Sequence, residues 1–248
     1  MQKFNSAGVE IAYEVWGQGP PILLIHGFAS TAFVNWRDTH WVKVLSEAGR
    51  QVIAIDNRGH GQSEKLYNIG DYSSPLMADD AKRLLDHLGI ERADVMGYSM
   101  GARISAFLTM NHPVKVRRVV FAGLASRMIS GVGGSDEIAA ALEAPTRDDV
   151  KDPMALVFRV FAEQTHSDLK ALAACIRSTR VKIKPQALAA ISIPVLVVAG
   201  ENDDVAGDVE GLTRIIPGSK GVVLPRRNHM NAVGDRAFKD AVLAFLKA

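Results

Sequence analysis

Residues 95–101 read Val95-Met96-Gly97-Tyr98-Ser99-Met100-Gly101, a Gly-x-Ser-x-Gly pattern wedged between a short apolar run and a helical one. A chain that passes from a strand into a helix with almost no loop has few ways to do so. The apical residue is forced into a strained backbone conformation, its side chain stands clear of the sheet, and the helix N-terminus lies behind it. Gly97 and Gly101 remove side chains where neighbouring backbone has to pass close. The pattern therefore predicts a strand, a sharp turn and a helix, with the Ser99 hydroxyl exposed beside backbone N–H donors. Short patterns of this kind also arise by chance in loops, so the rest of the chain has to support the reading.

Apolar runs of strand length recur at Ile11–Val15, Ile22–Ile25, Val52–Ile55, Asp94–Met96, Arg118–Phe121, Val195–Ala199 and Val222–Leu224. Their middles are almost continuously apolar, which suits parallel strands covered on both faces. Between them lie segments with helical period. One opens at Ser74-Pro75, with a serine cap, a proline at the first position and Asp79 and Asp80 near the start. Its Met77, Ala81, Leu84, Leu85 and Leu88 share a face, and Gly89 stops it. Pro113 ends the helix that begins after Ser99, and a last helix covers about Asp235–Lys247. The alternation predicts an α/β fold with a doubly wound, mostly parallel sheet. No helical segment separates the first two strands, and Gly8-Val9 reads as an antiparallel hairpin at that edge.

From about Ala125 to Ala190 the alternation fails. The stretch opens with Gly131-Val132-Gly133-Gly134 and then offers helical patterns near Ser135–Ala144, Pro153–Glu163 and Ser167–Ser178. An insertion between two strands must sit on or beside the sheet. The expected organisation is a core of residues 1–124 and 191–248 carrying a small helical cap, residues 125–190.

The chain has 248 residues, 48% hydrophobic and 23% charged, which suits one α/β domain with a full core. A net charge of +2 gives no reason to expect nucleic acid or an anionic membrane as partner. The basic pairs Arg117-Arg118 and Arg226-Arg227 read as solvated strand ends. Cys175 is the single cysteine, so an intramolecular disulfide and a cysteine-based metal site are excluded. It lies in an apolar helical run and reads as a small buried residue. The first residues lack the apolar core of a signal peptide, and no apolar run approaches the roughly 18–20 residues of a membrane span. The expectation is a cytoplasmic protein, monomer or homodimer, with no metal and no cofactor.

Four motifs then stand in order. They are Pro21-Ile22-Leu23-Leu24-Ile25-His26-Gly27-Phe28, Asp56-Asn57-Arg58-Gly59-His60-Gly61-Gln62-Ser63, Gly97-Tyr98-Ser99-Met100-Gly101, and Pro194-Val195-Leu196-Val197-Val198-Ala199-Gly200-Glu201-Asn202-Asp203 with His229 one strand later. Together they resemble the α/β-hydrolase family, in its small-cap serine esterase and haloperoxidase-like branch, over nearly the whole chain. Ala102, Asn228 and Gly207 depart from residues common in that family, but no reacting group is lost.

The chemistry can be reasoned from the residues. A serine hydroxyl is a poor nucleophile at neutral pH and needs a base within reach and a third group to orient that base. In this fold the order is serine, acid, histidine, matched here by Ser99, Asp203 and His229. Ser99 would attack a carbonyl, His229 would take and return the proton, and Asp203 would fix the imidazole tautomer. Asp204 and Asp208 compete with Asp203 as the acid. The resemblance implies an oxyanion hole from the backbone N–H groups of Phe28 and Met100, and structural roles for His26 and for Arg58 to Ser63. Phe33, Trp36, Met128, Met154, Phe158 and Phe161 are the candidate pocket residues. Apolar walls favour a small to medium, largely apolar substrate. The expected activity is cofactor-independent hydrolysis of a carboxylic ester, thioester or lactone through an acyl-enzyme. The alternatives are hydrolysis of a carbon–carbon bond with the same triad, for which Arg127, Arg159, Arg177 and Arg180 stay open as carboxylate contacts, and a ligand sensor with little turnover.

Overall fold

The computed structural model describes residues 1–247. Eight strands form one sheet: β1 (Gln2–Ser6), β2 (Val9–Trp16), β3 (Pro21–Ile25), β4 (Gln51–Ile55), β5 (Ala93–Tyr98), β6 (Val116–Ala122), β7 (Val195–Gly200) and β8 (Lys220–Leu224). Their spatial order is β1-β2-β4-β3-β5-β6-β7-β8. The pairs β1–β2 and β2–β4 are antiparallel, and every other neighbour is parallel. The helices are α1 (Trp41–Glu47), α2 (Ser74–His87), α3 (Met100–Asn111), α4 (Arg127–Ser130), α5 (Ser135–Glu143), α6 (Pro153–Gln164), α7 (Leu169–Thr179), α8 (Pro185–Ala189), α9 (Val209–Thr213) and α10 (Arg236–Lys247). None of the described helices is long and apolar enough to cross a membrane.

Alternate residues of each inner strand enter opposite layers of the core, as the period of two requires. Leu23, Ile53, Val95, Phe121 and Val197 pack beneath apolar residues of α2 and α3. Ile22, Val52, Met96, Val120 and Val198 pack on the other side, against Trp41 and Leu45 of α1 and Phe238 and Val242 of α10. Both faces are covered, which is why these strands read as unbroken apolar runs.

Four details differ from the sequence reading. β1 was not among the strand candidates because Gln2-Lys3-Phe4-Asn5-Ser6 buries only Phe4 and Ser6, the signature of an edge strand with one wet face. It joins β2 through Ala7 and Gly8, both at positive φ. β2 then pairs with β4, so β3 enters the sheet beyond β4. The cap of α2 is Ser73, whose side chain accepts from the Leu76 N–H; the Ser74 hydroxyl instead donates to the Thr179 carbonyl at 2.7 Å.

Between β6 and β7 the chain is helical from α4 to α8. The short α4 and α8 escaped the sequence pattern because five residues or fewer show no period. α5 packs on both α6 and α7. Arg159 of α6 is buried, donates to the carbonyls of Ala141 and Ala144, and pairs with Glu163. The insertion meets the sheet's carboxyl edge: Thr165 Oγ1 donates to the Ala29 carbonyl at 2.9 Å, and the rings of Phe28 and Phe158 lie 5.9 Å apart.

Candidate active site

β5 ends at Tyr98 and α3 begins at Met100, leaving Ser99 alone at the turn. Its φ of 56° and ψ of −113° lie where a side chain is strained, at a cost of about 1–3 kcal/mol. Two hydrogen bonds hold it there. The Ser99 N–H donates to the Ala122 carbonyl on β6 at 2.7 Å, and the Ser99 carbonyl accepts from the Ala102 N–H at 3.0 Å.

Loops after β7 and β8 bring two partners to this hydroxyl. His229 Nε2 lies 3.0 Å from Ser99 Oγ, and His229 Nδ1 lies 2.9 Å from each carboxylate oxygen of Asp203. A carboxylate only accepts, so Nδ1 carries the ring proton and Nε2 is left to accept from the Ser99 hydroxyl. Such a relay lets the hydroxyl lose its proton as the oxygen attacks an electrophile. Asp203 is buried, and its Oδ1 also accepts from the N–H groups of Val205 and Ala206. Of the competing acids, Asp208 is engaged in capping α9 through the N–H groups of Glu210 and Gly211, and Asp204 is exposed.

The loop after β3 passes over Ser99. Gly27 comes so close that a Cβ there would lie 3.4 Å from Ser99 Cβ. The Gly27 N–H donates to Asn35 Oδ1 at 2.8 Å, which pins the loop from behind. The Phe28 and Met100 N–H groups have no hydrogen-bond acceptor among the described residues. Beneath the loop lies the buried His26. Its Nδ1 lies 2.7 Å from the Gly27 carbonyl, to which it donates, and Nε2 accepts from the Asn57 N–H at 3.0 Å. Asp56 accepts from the N–H groups of Ala32 and Gln62, and Arg58 pairs with Asp80 at 2.7 Å. The Arg58–Ser63 turn is thus fastened to the loop and to α2.

The buried imidazoles make a pH prediction. Burial lowers His26 from 6.5 to about 4, and burial together with the charge of His26 lowers His60 to about 3. Above pH 6.5 neither folded nor unfolded chain binds these protons. Below it the unfolded chain takes them up and the folded one does not. Stability is therefore lost as pH falls from about 6.5 toward about 4, by about 1.4 kcal/mol per pH unit for each ring. His60→Asn, which keeps a donor for the Arg58 carbonyl, is expected to flatten the fall of Tm with pH. A native Tm that is level from pH 6.5 to 4.5 would contradict this.

Two cavities flank Ser99. The larger, about 210 Å³, contains Ser99 and His229 and is walled by Phe28, Phe158, Phe161 and Val233. The smaller, about 30 Å³, shares Phe28, Ser99 and Phe158 with it and adds Met100, Arg103 and Arg180.

Comparison with known proteins places this geometry in a family. The sequence profile described as alpha/beta hydrolase fold matches residues 20–131. The chain is 30% identical over 256 aligned residues to 3-oxoadipate enol-lactonase 2 of Acinetobacter baylyi, covering 96% of this chain and 94% of that protein. The chain belongs to the α/β hydrolase family. A crystal structure of a hydrolase from Pseudomonas aeruginosa superposes with a TM-score of 0.83 at 26% identity, covering 100% of this chain and 98% of that one. A stretch covering 54% of the chain is 36% identical to 2-hydroxymuconate semialdehyde hydrolase of Pseudomonas sp. strain CF600. The chain spans less than half the length of that protein and of the epoxide hydrolases it also matches.

Of the pocket residues expected from the sequence, Phe158 and Phe161 line the larger cavity and the other four do not. A helical turn at Phe33–Arg37 points Phe33 outward, 54% exposed beneath the Arg37 guanidinium, and Trp36 inward. Trp36 is fully buried and packs edge-on against Trp41. Met128 is buried in the core, and Met154, in the first turn of α6, is 47% exposed. Three contributors went unseen in the sequence. Asn35 holds the Gly27 N–H. The Tyr98 hydroxyl donates to the His229 carbonyl at 2.6 Å. Asn228 Oδ1 accepts from the N–H groups of Met230 and Asn231, giving a reason for an asparagine beside His229. The second position of Gly-x-Ser-x-Gly was the available signal for Tyr98: a large polar ring beside the serine has to satisfy its hydroxyl.

Proposed function

We propose that this hydrolase is a cofactor-independent serine hydrolase that cleaves a carboxylic ester, thioester or lactone through an acyl-enzyme on Ser99. The observation that carries the reading is the continuous hydrogen-bonded chain from Ser99 Oγ through His229 to buried Asp203. Ser99 attacks the acyl carbonyl while His229 Nε2 takes its proton. Asp203 holds the tautomer and stabilises the imidazolium. The oxyanion is met by the Phe28 and Met100 N–H groups, which have no competing acceptor; losing one such donor typically costs a factor of about 10²–10³. His229 then returns the proton to the leaving oxygen, and water repeats the cycle to release the acid. The domain division goes with this reading: residues 1–124 and 191–248 carry the reacting groups, and 125–190 cap them. The enol-lactonase relative supports acyl chemistry. The partial resemblance to 2-hydroxymuconate semialdehyde hydrolase keeps carbon–carbon cleavage as the second reading.

Intact mass after exposure to a fluorophosphonate tests the assignment without a substrate. The native chain is expected to gain one adduct and Ser99→Ala none. A folded native chain that gains no adduct would remove the reading, and an adduct on Ser99→Ala would move the nucleophile elsewhere.

A further inference from the structure

The smaller cavity beside Ser99 is built for charge. Arg103 and Arg180 both line it, and neither forms an ion pair with any described residue. Arg103 is 2% exposed, on the first turns of α3. Its Nη1 donates to the carbonyls of Met128 and Val181, and its Nη2 to that of Arg127. Arg180, just past α7, donates from Nη1 to the carbonyls of Val132 and Gly133 and lies against the Phe158 ring at 5.9 Å. These acceptors are neutral, so two partly or wholly buried positive charges face one small space without a counter-charge. Burial lowers both guanidiniums to about 10, and Arg180 adds to the lowering of Arg103. Glu137 pulls Arg180 back up but is not in ion-pair contact. Both remain cations at neutral pH.

The unused donors share an arrangement. Each guanidinium keeps its Nε–H and at least one Nη2–H, the edge that grips a carboxylate with two parallel hydrogen bonds. Thr179 lines the same space. Its buried hydroxyl has no nitrogen or oxygen partner, and the Cys175 thiol beside it is a weak one. A volume of about 30 Å³ admits a group of two or three heavy atoms and excludes a long chain.

We infer that this chamber binds a carboxylate carried by the acyl part of the substrate, gripped by Arg180 and Arg103 with the Thr179 hydroxyl as a further donor. The inference rests on the serine hydrolase reading above for which part of the substrate enters. His229 lines the larger cavity and not the smaller. The leaving oxygen must receive its proton from His229, so the alcohol occupies the larger, mostly apolar cavity, and the acyl chain runs from Ser99 with only its terminal carboxylate, three heavy atoms, in the smaller. The substrate class is then a hemiester, or a lactone with a pendant carboxylate, of a short dicarboxylic acid and a largely apolar alcohol. Its hydrolysis breaks the acyl C–O bond. Water supplies hydroxide to the acyl carbon and a proton to the alcohol oxygen.

The test compares monobenzyl glutarate with benzyl butyrate, equal in acyl length save for the terminal carboxylate. The native enzyme is expected to favour the hemiester in kcat/KM. Arg180→Gln is expected to lower that preference about 30-fold, mainly through KM, as loss of one partner of a desolvated charge pair does. Arg180→Lys keeps the charge without the fork and is expected to fall between. Arg177→Gln, whose guanidinium pairs with Glu143 away from both cavities, is expected to leave the preference as it is. Arg103 anchors three carbonyls and is left intact for that reason.

A native enzyme that prefers benzyl butyrate, or an Arg180→Gln preference equal to the native one, overturns the inference. Calorimetric binding to Ser99→Ala separates this from failure of the hydrolase reading, because it needs no turnover. Monobenzyl glutarate is expected to bind Ser99→Ala at least about 10-fold more tightly than the Ser99→Ala, Arg180→Gln double variant. Equal binding by the two would end the carboxylate assignment, whether or not the native chain reacts with a fluorophosphonate.

Discussion

Replacing His229 with alanine is expected to lower kcat for a simple aryl ester by about a million-fold, with a Tm close to that of the native chain. The imidazole lies against Ser99 and Asp203 in loops at the carboxyl edge, and the core layers do not depend on it. Ser99→Ala is expected to cost about the same, and the double variant no more than either single one, because a nucleophile without its base and a base without its nucleophile are equally idle. Asp203→Asn is expected to cost about ten-thousand-fold for a different reason. Asp203 Oδ1 already accepts from two backbone N–H groups, so an asparagine keeps its oxygen there and turns its NH₂ toward His229. The amide then donates to Nδ1 and forces the ring proton onto Nε2, which can no longer accept from Ser99. Steady-state kinetics with matched melting curves decide the matter. More than about 1% residual kcat in His229→Ala would remove the histidine from the proposed reaction, since the triad logic leaves only the oxyanion donors and binding.

Much of the fold was legible because its physics is local. The inner strands are buried on both faces, so each reads as an apolar run, and α2 announces itself by its proline and one apolar stripe, although Asp79 and Asp80 fall beyond its first turn. Ser99, Asp203 and His229 could be brought together from sequence because the elements before them are strands of one parallel sheet. Parallel strands end on the same edge, and that edge is where the loops meet. Of the three candidate acids in that loop, the sequence favoured Asp203; in the structure the Asp203 carboxylate faces His229, Asp208 caps α9 and Asp204 is exposed.

The pocket was hardly legible, and the reason is tertiary. Periodicity says which residues of a helix share a face, not what that face meets. Met154 and Phe158 share a face of α6, but a turn of helix advances about 5.4 Å, enough to leave Met154 in solvent while Phe158 reaches both cavities. Trp36 was the reverse case. A large aromatic near the mouth suggested a wall, and the structure uses it as core against Trp41. The charged chamber was hidden more deeply. Arg103 looks like an ordinary helical arginine, and Arg180 was one of four cap arginines. Only the packing shows that Arg159 and Arg177 have carboxylate partners. Partnership is a property of three-dimensional neighbours, and spacing along the chain does not reveal it.

The second large effect is on stability, at the glycine that follows Ser99 by two. A Cβ on Gly101 would stand 2.0 Å from the Ile25 carbonyl oxygen and 2.7 Å from that of His26. Both are backbone atoms at the end of β3, which is locked between β4 and β5, so neither can rotate aside. Gly101→Ala is therefore expected to cost at least about 3 kcal/mol, more than ordinary overpacking of a core by one methyl, because backbone has to move. For a chain of this length that lowers Tm by roughly 6–12 °C. Activity is expected to fall with it even where the protein stays folded. Pushing the end of β3 away displaces Gly27 and Phe28, and with them the proposed oxyanion donor over Ser99. Gly133→Ala supplies the contrast, since a Cβ there meets nothing within 4 Å; it is expected to change stability by no more than about 0.5 kcal/mol. Scanning calorimetry of the two variants beside the native chain reads the difference directly. Equal Tm values for Gly101→Ala and Gly133→Ala would mean that the strand–turn–helix contact is looser than the geometry requires, and that the strain at Ser99 is not held by close backbone packing.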